Sequence, residues 1–78
     1  MELKKEVIEL ISKTLDIEDN EIKADQKLYD SIGVDSTEMV ELVVTFNKHF
    51  GVKLETNEIT KFSTVEEIVD LIERKKQF

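Results

Sequence analysis

The sequence predicts an all-α domain: a small four-helix bundle with a long ordered loop between helices one and two and a short third helix. Three observations favour this class. Apolar residues recur at three- and four-residue steps in three segments. The chain has no proline and only two glycines, and no stretch alternates apolar and polar residues as a half-buried strand does. A length of 78 residues suits one domain with one small core, so we expect residues 1–78 to form a single domain.

The first helix is predicted over residues 2–15. Its apolar positions fall on one stripe of the helical surface, namely Leu3, Val7, Leu10, Ile11 and Leu15. Charged residues interrupt the apolar ones throughout, so we expect neither a signal peptide nor a membrane span. A cytoplasmic protein is the simplest interpretation.

The segment from Asp16 to Asp35 shows no sustained periodicity, and we predict an ordered crossover loop there. Loops of this length are uncommon in compact domains and are usually functional. Scattered apolar residues are expected to pin the loop across the bundle: Ile17, Ile22, Leu28, Tyr29 and Ile32.

Charge is concentrated in the same part of the chain. Residues 16–41 hold nine acidic and two basic side chains, so this segment accounts for the whole net charge of −7. The asymmetry favours a basic protein partner and argues against nucleic acid, because complementary fields mainly raise the association rate and the specificity. The alternative is a solvated loop with many carboxylates.

The next long helix is predicted from Asp35 or Ser36 to Phe50. In "DSTE", Asp35 is placed as N-cap with Glu38 as its capping-box partner, and Gly51 ends the helix. The core face consists of Met39, Leu42, Val43, Phe46 and Phe50. Val40 and Val44 lie outside that face, beside Glu41 and close to the direction of Ser36. An apolar strip rimmed by charge is typical of a docking surface.

Two further helices complete the predicted bundle. Residues 56–61 leave room for a short one. The final helix follows a Ser63 or Thr64 cap, places Val65, Ile68, Val69 and Ile72 on one face, and ends in Arg74, Lys75 and Lys76, where cations complement the helix dipole.

Residue content excludes most enzymatic and metal sites. There is no cysteine and one histidine, His49, which excludes a disulfide framework and leaves few ligands for zinc. Ser36 and His49 lie roughly 20 Å apart along one helix, too far for a hydrolase pair. "DIEDNEIKADQK" is similar to a calcium loop, but Glu21 replaces the required glycine and Lys27 the required glutamate. We expect no catalytic residue and no bound metal.

The segment "YDSIGVDSTEMVELVVTFNKHFGVKL" resembles the acyl carrier proteins. The resemblance combines Gly33, the Asp35 and Ser36 pair, Glu41 with Leu42, Phe50, and the final helix "STVEEIVDLI", and it covers essentially the whole chain. In that family the serine matching Ser36 carries phosphopantetheine, which a separate magnesium-dependent transferase attaches from coenzyme A. The resemblance implies a single acyl-carrier domain that is not itself an enzyme and that holds acyl groups as thioesters for fatty-acid, polyketide or specialised pathways.

The resemblance fits two features of the sequence. A phosphodiester on Ser36 would lie at a helix N-terminus, where backbone N–H groups and the helix dipole favour an anion. The lack of cysteine is also understandable, because the thiol belongs to the prosthetic arm.

The resemblance also implies binding residues and partners. Family members shelter acyl chains between helices, and the matching positions here are Leu28, Leu42, Phe46, Leu54, Ile59, Phe62, Ile68 and Leu71. Several of these are bulky, so short or polar acyl groups are expected to be preferred. Partner-facing residues are expected to be Asp35, Thr37, Glu38, Val40, Glu41 and Val44. The implied partners of a monomeric carrier are phosphopantetheinyl transferase, an acyl-loading ligase or acyltransferase, and synthase enzymes with basic docking patches.

At two places the sequence differs from the usual pattern of the family, and these differences bear on the type of carrier expected. The residue after the serine is usually leucine but is Thr37 here, and Asn47, Lys48 and His49 stand where fatty-acid members tend to be acidic. Both favour a specialised carrier over the housekeeping fatty-acid carrier. The start at Met1 and the lack of a flanking linker suggest a free-standing protein. The alternatives are an aminoacyl carrier, such as a D-alanyl one, and a non-carrier acidic helical adaptor.

Overall fold

A computed structural model describes residues 3–76. Its elements are α1 (Leu3–Leu15), a 3-10 turn (Asp19–Glu21), α2 (Leu28–Ile32), α3 (Ser36–Phe50) and α4 (Val65–Lys75). The predicted all-α class with four helices is confirmed. The predicted start of the first helix at residue 2 lies outside the described residues, as do both ends of the predicted domain.

The shortest helix is not where the sequence placed it. Instead of a helix over residues 56–61, the chain forms a turn in which the Glu58 N–H donates to the Glu55 carbonyl at 3.0 Å. The Glu55 N–H in return donates to the Glu58 carboxylate at 2.9 Å. The shortest helix is α2, five residues inside the segment predicted to be loop.

α2 depends on a distant part of the chain for its N-terminal hydrogen bonds. Its N-cap, Lys27, makes no side-chain cap bond. The Leu28 N–H donates to the Ser63 carbonyl at 2.9 Å, and the Tyr29 N–H donates to the Lys61 carbonyl at 2.8 Å. Because unsatisfied N–H groups destabilise a short helix, this tertiary contact is what permits α2.

One apolar core joins all four helices, with α1 packed against α3 and α4. Its fully buried side chains come from α1 (Val7, Ile11), α2 (Leu28), α3 (Leu42, Phe46), α4 (Val65, Ile68, Ile72) and two connecting positions (Val34, Ile59). The predicted pinning of the long loop is confirmed for Ile22 and Leu28, which are buried, but it is wrong for Tyr29, whose side chain is 51% exposed.

Local signals in the sequence set both ends of α3 and the start of α4. Asp35 and Glu38 form the predicted capping box of α3. Of the two predicted caps of α4, Thr64 is the one used, and Glu67 completes a capping box with it that was not predicted. Gly51 ends α3 in the left-handed conformation with φ of 67°, which costs glycine little. Among residues 3–76, no helix is long and apolar enough to cross a bilayer.

Candidate functional site

Ser36 is the first residue of α3, and a short, well-anchored connection positions it. Gly33 ends α2 with φ of 67° while its N–H donates to the Tyr29 carbonyl at 3.0 Å. Val34 is 1% exposed and fixes the connection to the core. The chain therefore reaches Ser36 from two anchored residues, so the position of this serine is set by the fold.

The cap of α3 is supplied by Asp35 and not by Ser36. The Asp35 carboxylate accepts a hydrogen bond from the Glu38 N–H at 2.8 Å, and the Glu38 carboxylate accepts one from the Asp35 N–H at 3.1 Å. Ser36 is exposed. Its hydroxyl thus stands at a helix N-terminus, where an attached anion is favoured, without being required for the cap.

The other three serines of the chain use their hydroxyls in structural hydrogen bonds. Ser12 donates to the Ile17 carbonyl at 2.6 Å. Ser31 accepts from the Lys23 N–H at 2.9 Å and donates to the Glu21 carbonyl at 3.0 Å. Ser63 accepts from the Thr60 N–H at 3.1 Å. Ser36 is therefore distinguished from them by both exposure and position.

An open cleft of about 310 Å³ lies beside Ser36. Its lining mixes apolar side chains with hydroxyls and one ammonium, and the lining residues are Ser36, Met39, Val40, Thr56, Ile59, Thr60, Lys61 and Phe62. A concave site with apolar walls and a few polar groups is the usual form of a small-molecule site.

The eight residues predicted to surround an acyl chain fall into two groups. Ile59 and Phe62 line the cleft, and Phe62 is 54% exposed. The other six lie in the core or pack against it: Leu28, Leu42, Phe46, Leu54, Ile68 and Leu71. The structure thus places two of the eight, the buried Ile59 and the exposed Phe62, in the lining of the cleft next to Ser36.

The cleft also contains residues that the sequence did not single out. Met39 is one helical turn after Ser36, and this spacing could have indicated that the two share a face. Thr56, Thr60 and Lys61 come from the segment between α3 and α4. Their sequence separation from Ser36 leaves no local signal, because only the folded chain brings them near it.

The predicted docking strip is exposed. Val40 and Val44 are 48% and 47% exposed, and Asp35, Thr37 and Glu41 are exposed as well, while Glu38 is half-buried by its role in the cap. No cluster of three or more histidine or acidic side chains that could hold a metal ion is found within residues 3–76. The surface beside Ser36 therefore combines an acidic rim with two apolar side chains.

Comparison with known proteins matches most of the chain to one family. The family described as "Phosphopantetheine attachment site" matches residues 5–72. Proteins named acyl carrier protein are similar to this chain along nearly its whole length. Those of Thermotoga maritima and Petrotoga mobilis are each 38% identical over 74 residues, which cover 95% of this chain and 91% and 87% of those proteins, respectively. The acyl carrier protein of Chloroherpeton thalassium is 32% identical over 76 residues, covering 97% of this chain and 95% of that protein.

Proposed function

Because the chain belongs to the acyl carrier protein family, we propose that Ser36 carries phosphopantetheine, the prosthetic group of that family. One observation carries this assignment: Ser36 presents an exposed hydroxyl at the start of α3 while Asp35 makes the cap. The residues present therefore fit the group. A phosphodiester at this position gains from the helix dipole without loss of a structural hydrogen bond.

Attachment requires a separate transferase, coenzyme A and magnesium. The Ser36 oxygen forms a bond to the phosphorus next to the pantetheine unit of coenzyme A, the pyrophosphate P–O bond breaks, adenosine bisphosphate leaves, and the hydroxyl proton is lost to a base. When attached, the group supplies the thiol that holds an acyl cargo as a thioester. This chain contributes the hydroxyl, the helix N-terminus and the adjacent cleft.

Short acyl groups are the cargo that the interior favours. Phe46 and Ile68 are 0% and 1% exposed in a closely packed core, so a long chain could enter only by displacing them. The cleft is open, and it reaches the core only at Met39 and Ile59. We expect a short acyl group to lie there and a long one to be poorly sheltered, which favours a specialised pathway over long-chain fatty-acid synthesis.

Partner enzymes are expected to dock on α3. Val40 and Val44 give an exposed apolar centre, and Glu41 gives an acidic rim next to Ser36. Partners are therefore expected to have basic patches around an apolar contact near their active-site entrances. The transferase, a loading ligase or acyltransferase, and synthase enzymes all need access to this one surface.

The attachment is tested by intact mass. The protein is incubated with coenzyme A, magnesium and a phosphopantetheinyl transferase of broad specificity, and we expect a mass increase of one phosphopantetheine that Ser36→Ala abolishes. Thr37→Val is the matched control, since it removes the neighbouring exposed hydroxyl and leaves Ser36 in place. Modification of Ser36→Ala, or none of the wild type, would overturn the assignment.

A further inference from the structure

Lys61 is an unusual residue for the wall of a largely apolar cleft. Its side chain is half-buried, and its ammonium lies 5.1 Å from the ring centre of Tyr29 and 5.5 Å from that of Phe62. Lys27 places a second ammonium 5.9 Å from the Phe62 ring centre. Two cations thus flank one exposed aromatic ring at the edge of the cleft beside Ser36.

Neither ammonium has a carboxylate partner within the described part of the chain. The ion pairs of residues 3–76 join Lys4 to Glu66, Arg74 to Asp70, and Lys75 to Glu58. Carboxylates are abundant nearby, since residues 16–41 contain nine of them. Lys27 and Lys61 contact aromatic ring faces and take part in none of these ion pairs, so their ammonium groups can still accept an anion.

The fold holds this pair of lysines in place. Tyr29 donates its N–H to the carbonyl of Lys61 itself at 2.8 Å, and residues Lys27 and Thr64 form an antiparallel bridge. The Tyr29 and Phe62 rings lie 6.0 Å apart in a tilted arrangement. The two lysines and two rings therefore lie on one hydrogen-bonded contact, that between α2 and the loop before α4.

The lining of the cleft also contains apolar side chains. They are Met39 and Val40 of α3 and Ile59 of the segment before α4. A ligand that fits the whole cleft would need a short apolar part along these residues and an anionic end beside the lysines. An acyl group with a terminal methyl would satisfy the apolar residues and leave both cations without a partner.

We propose that the cleft selects a short acyl cargo that ends in a carboxylate, with this carboxylate beside Lys61 and Lys27 and the connecting methylenes along Met39, Val40 and Ile59. The inference rests on the proposed attachment at Ser36 and adds the chemical class of the cargo. The simplest member of this class is a dicarboxylic acid with one carboxyl group joined to the arm as a thioester and the other left free.

The test compares two cargoes that differ only at their ends. The transferase is used to load Ser36 from succinyl-coenzyme A and from butyryl-coenzyme A, and intact mass confirms loading. In NMR spectra we expect the succinyl form, and not the butyryl form, to shift the Phe62 amide and the Lys61 side-chain signals. The succinyl carboxyl should also titrate at lower pH than in free succinyl-pantetheine, because nearby cations favour the carboxylate.

Variants assign the effect to Lys61. Lys61→Gln is expected to abolish the signal shifts and to return the carboxyl titration to that of the free compound, whereas Lys61→Arg retains both because it retains the charge. Lys53→Gln is the matched control, since Lys53 is an exposed lysine outside the cleft and its loss should change neither readout. Lys27→Gln should weaken the titration shift in part.

Three results would overturn the inference. Equal shifts from succinyl and butyryl cargo would show that the carboxylate is not recognised. The same shifts in the protein with the unacylated arm would assign the lysines to the phosphodiester of the arm. Retention of the succinyl effect in Lys61→Gln would show that another group is responsible. A missing mass increase is a separate outcome, and it overturns the proposed attachment before any cargo is compared.

Discussion

Asp16 shows how a single residue can lie in a conformation that its side chain disfavours. It follows the last residue of α1 with φ of 58°, and the Ile17 N–H donates to the Ser12 carbonyl at 3.1 Å across it. This pattern is a Schellman motif, in which glycine is the preferred residue at the left-handed position. An aspartate there retains a conformational cost that glycine avoids.

Asp16→Gly is therefore expected to stabilise the protein by about 0.5–1 kcal/mol, as measured by chemical denaturation. Asp16→Asn is the control, because it removes the charge and keeps a side chain at the same position. An equal gain in both variants would mean that relief of charge repulsion, and not backbone conformation, is the cause.

Asn47 departs from the family tendency for a structural reason. Its side-chain amide donates to the Leu54 carbonyl at 3.2 Å, and its side-chain oxygen accepts from the Leu54 N–H at 2.7 Å. This pair of bonds holds the chain after α3 against that helix. An acidic side chain could accept but not donate, so it could not make both bonds. The side chains of Lys48 and His49, in contrast, are exposed.

Asn47→Asp is expected to lower the free energy of unfolding by about 1–3 kcal/mol, because the Leu54 carbonyl loses its donor and meets a carboxylate. Asn57→Asp makes the same chemical change at an exposed position and should stay within about 0.5 kcal/mol of the wild type. If both variants lose a similar amount of stability, the cause is the added negative charge and not the loss of the hydrogen bond to Leu54.

At the scale of elements, α4 is tied to the turn over residues 55–58 by one ion pair. The Lys75 ammonium lies 3.1 Å from the Glu58 carboxylate. The pKa of Glu58 is lowered first by the hydrogen bond from the Glu55 N–H and second by that from Lys75. Because the folded pKa is the lower one, this contribution to stability is present above the ordinary pKa of glutamate and is lost as pH falls through the lowered value.

Lys75→Met is expected to raise the pKa of Glu58 only part of the way to its ordinary value, as followed by NMR titration of the carboxyl carbon. The backbone hydrogen bond from Glu55, the larger cause, remains in this variant. Lys76→Met removes the adjacent lysine and should leave the titration unchanged. A complete return to the ordinary pKa in Lys75→Met would contradict the leading role of the backbone bond.

Two residues on the exposed face of α3 are expected to affect different steps of partner binding, namely association and dissociation. Glu41 lies at the rim of the docking strip, so Glu41→Lys should slow association with a basic partner enzyme severalfold and reduce its salt dependence. Val40 lies in the apolar centre, so Val40→Asp should instead raise the dissociation rate. Binding kinetics measured at several salt concentrations distinguish the two.

Glu73→Lys supplies the control for this pair, since it makes the same charge change at an exposed position on α4. If Glu73→Lys slows association as much as Glu41→Lys, net charge and not the α3 surface governs the encounter. If Val40→Asp changes only the association rate, the apolar centre of the strip is not part of the contact.

At the scale of the whole molecule, the acidic segment is largely unneutralised. Of its nine carboxylates, all but Glu38 belong to exposed residues, and the ion pairs within residues 3–76 involve none of the nine. Self-repulsion among these charges opposes the compact state. Screening by dissolved ions should reduce this repulsion.

Added sodium chloride or millimolar magnesium is expected to stabilise the fold by about 1 kcal/mol, a rise of roughly 4–8 °C in Tm for a domain of this size. Thermal unfolding followed by circular dichroism measures the rise, which should increase smoothly with ionic strength. Asp19→Asn and Asp25→Asn together should raise Tm at low salt and reduce its response to salt. An unchanged or lower Tm in magnesium would contradict the repulsion.

The three long helices, their core faces, the capping box of α3 and the position of Ser36 at a helix start could all be predicted from the sequence. All of these depend on contacts between residues three or four apart, so their signals are local. The docking strip of Val40 and Val44 followed from the same periodicity.

The location of the short helix and the surroundings of Ser36 depend on contacts between distant segments and could be seen only in the fold. α2 exists because carbonyls of residues 61 and 63 satisfy its first N–H groups, and those same contacts bring Lys61 and Phe62 beside Tyr29. The cleft joins α3 to the segment before α4. Hydrogen bonds and packing between distant segments leave no periodic pattern in the chain, and for that reason the turn over residues 55–58, the lysine pair and the cleft could be found only in the folded molecule.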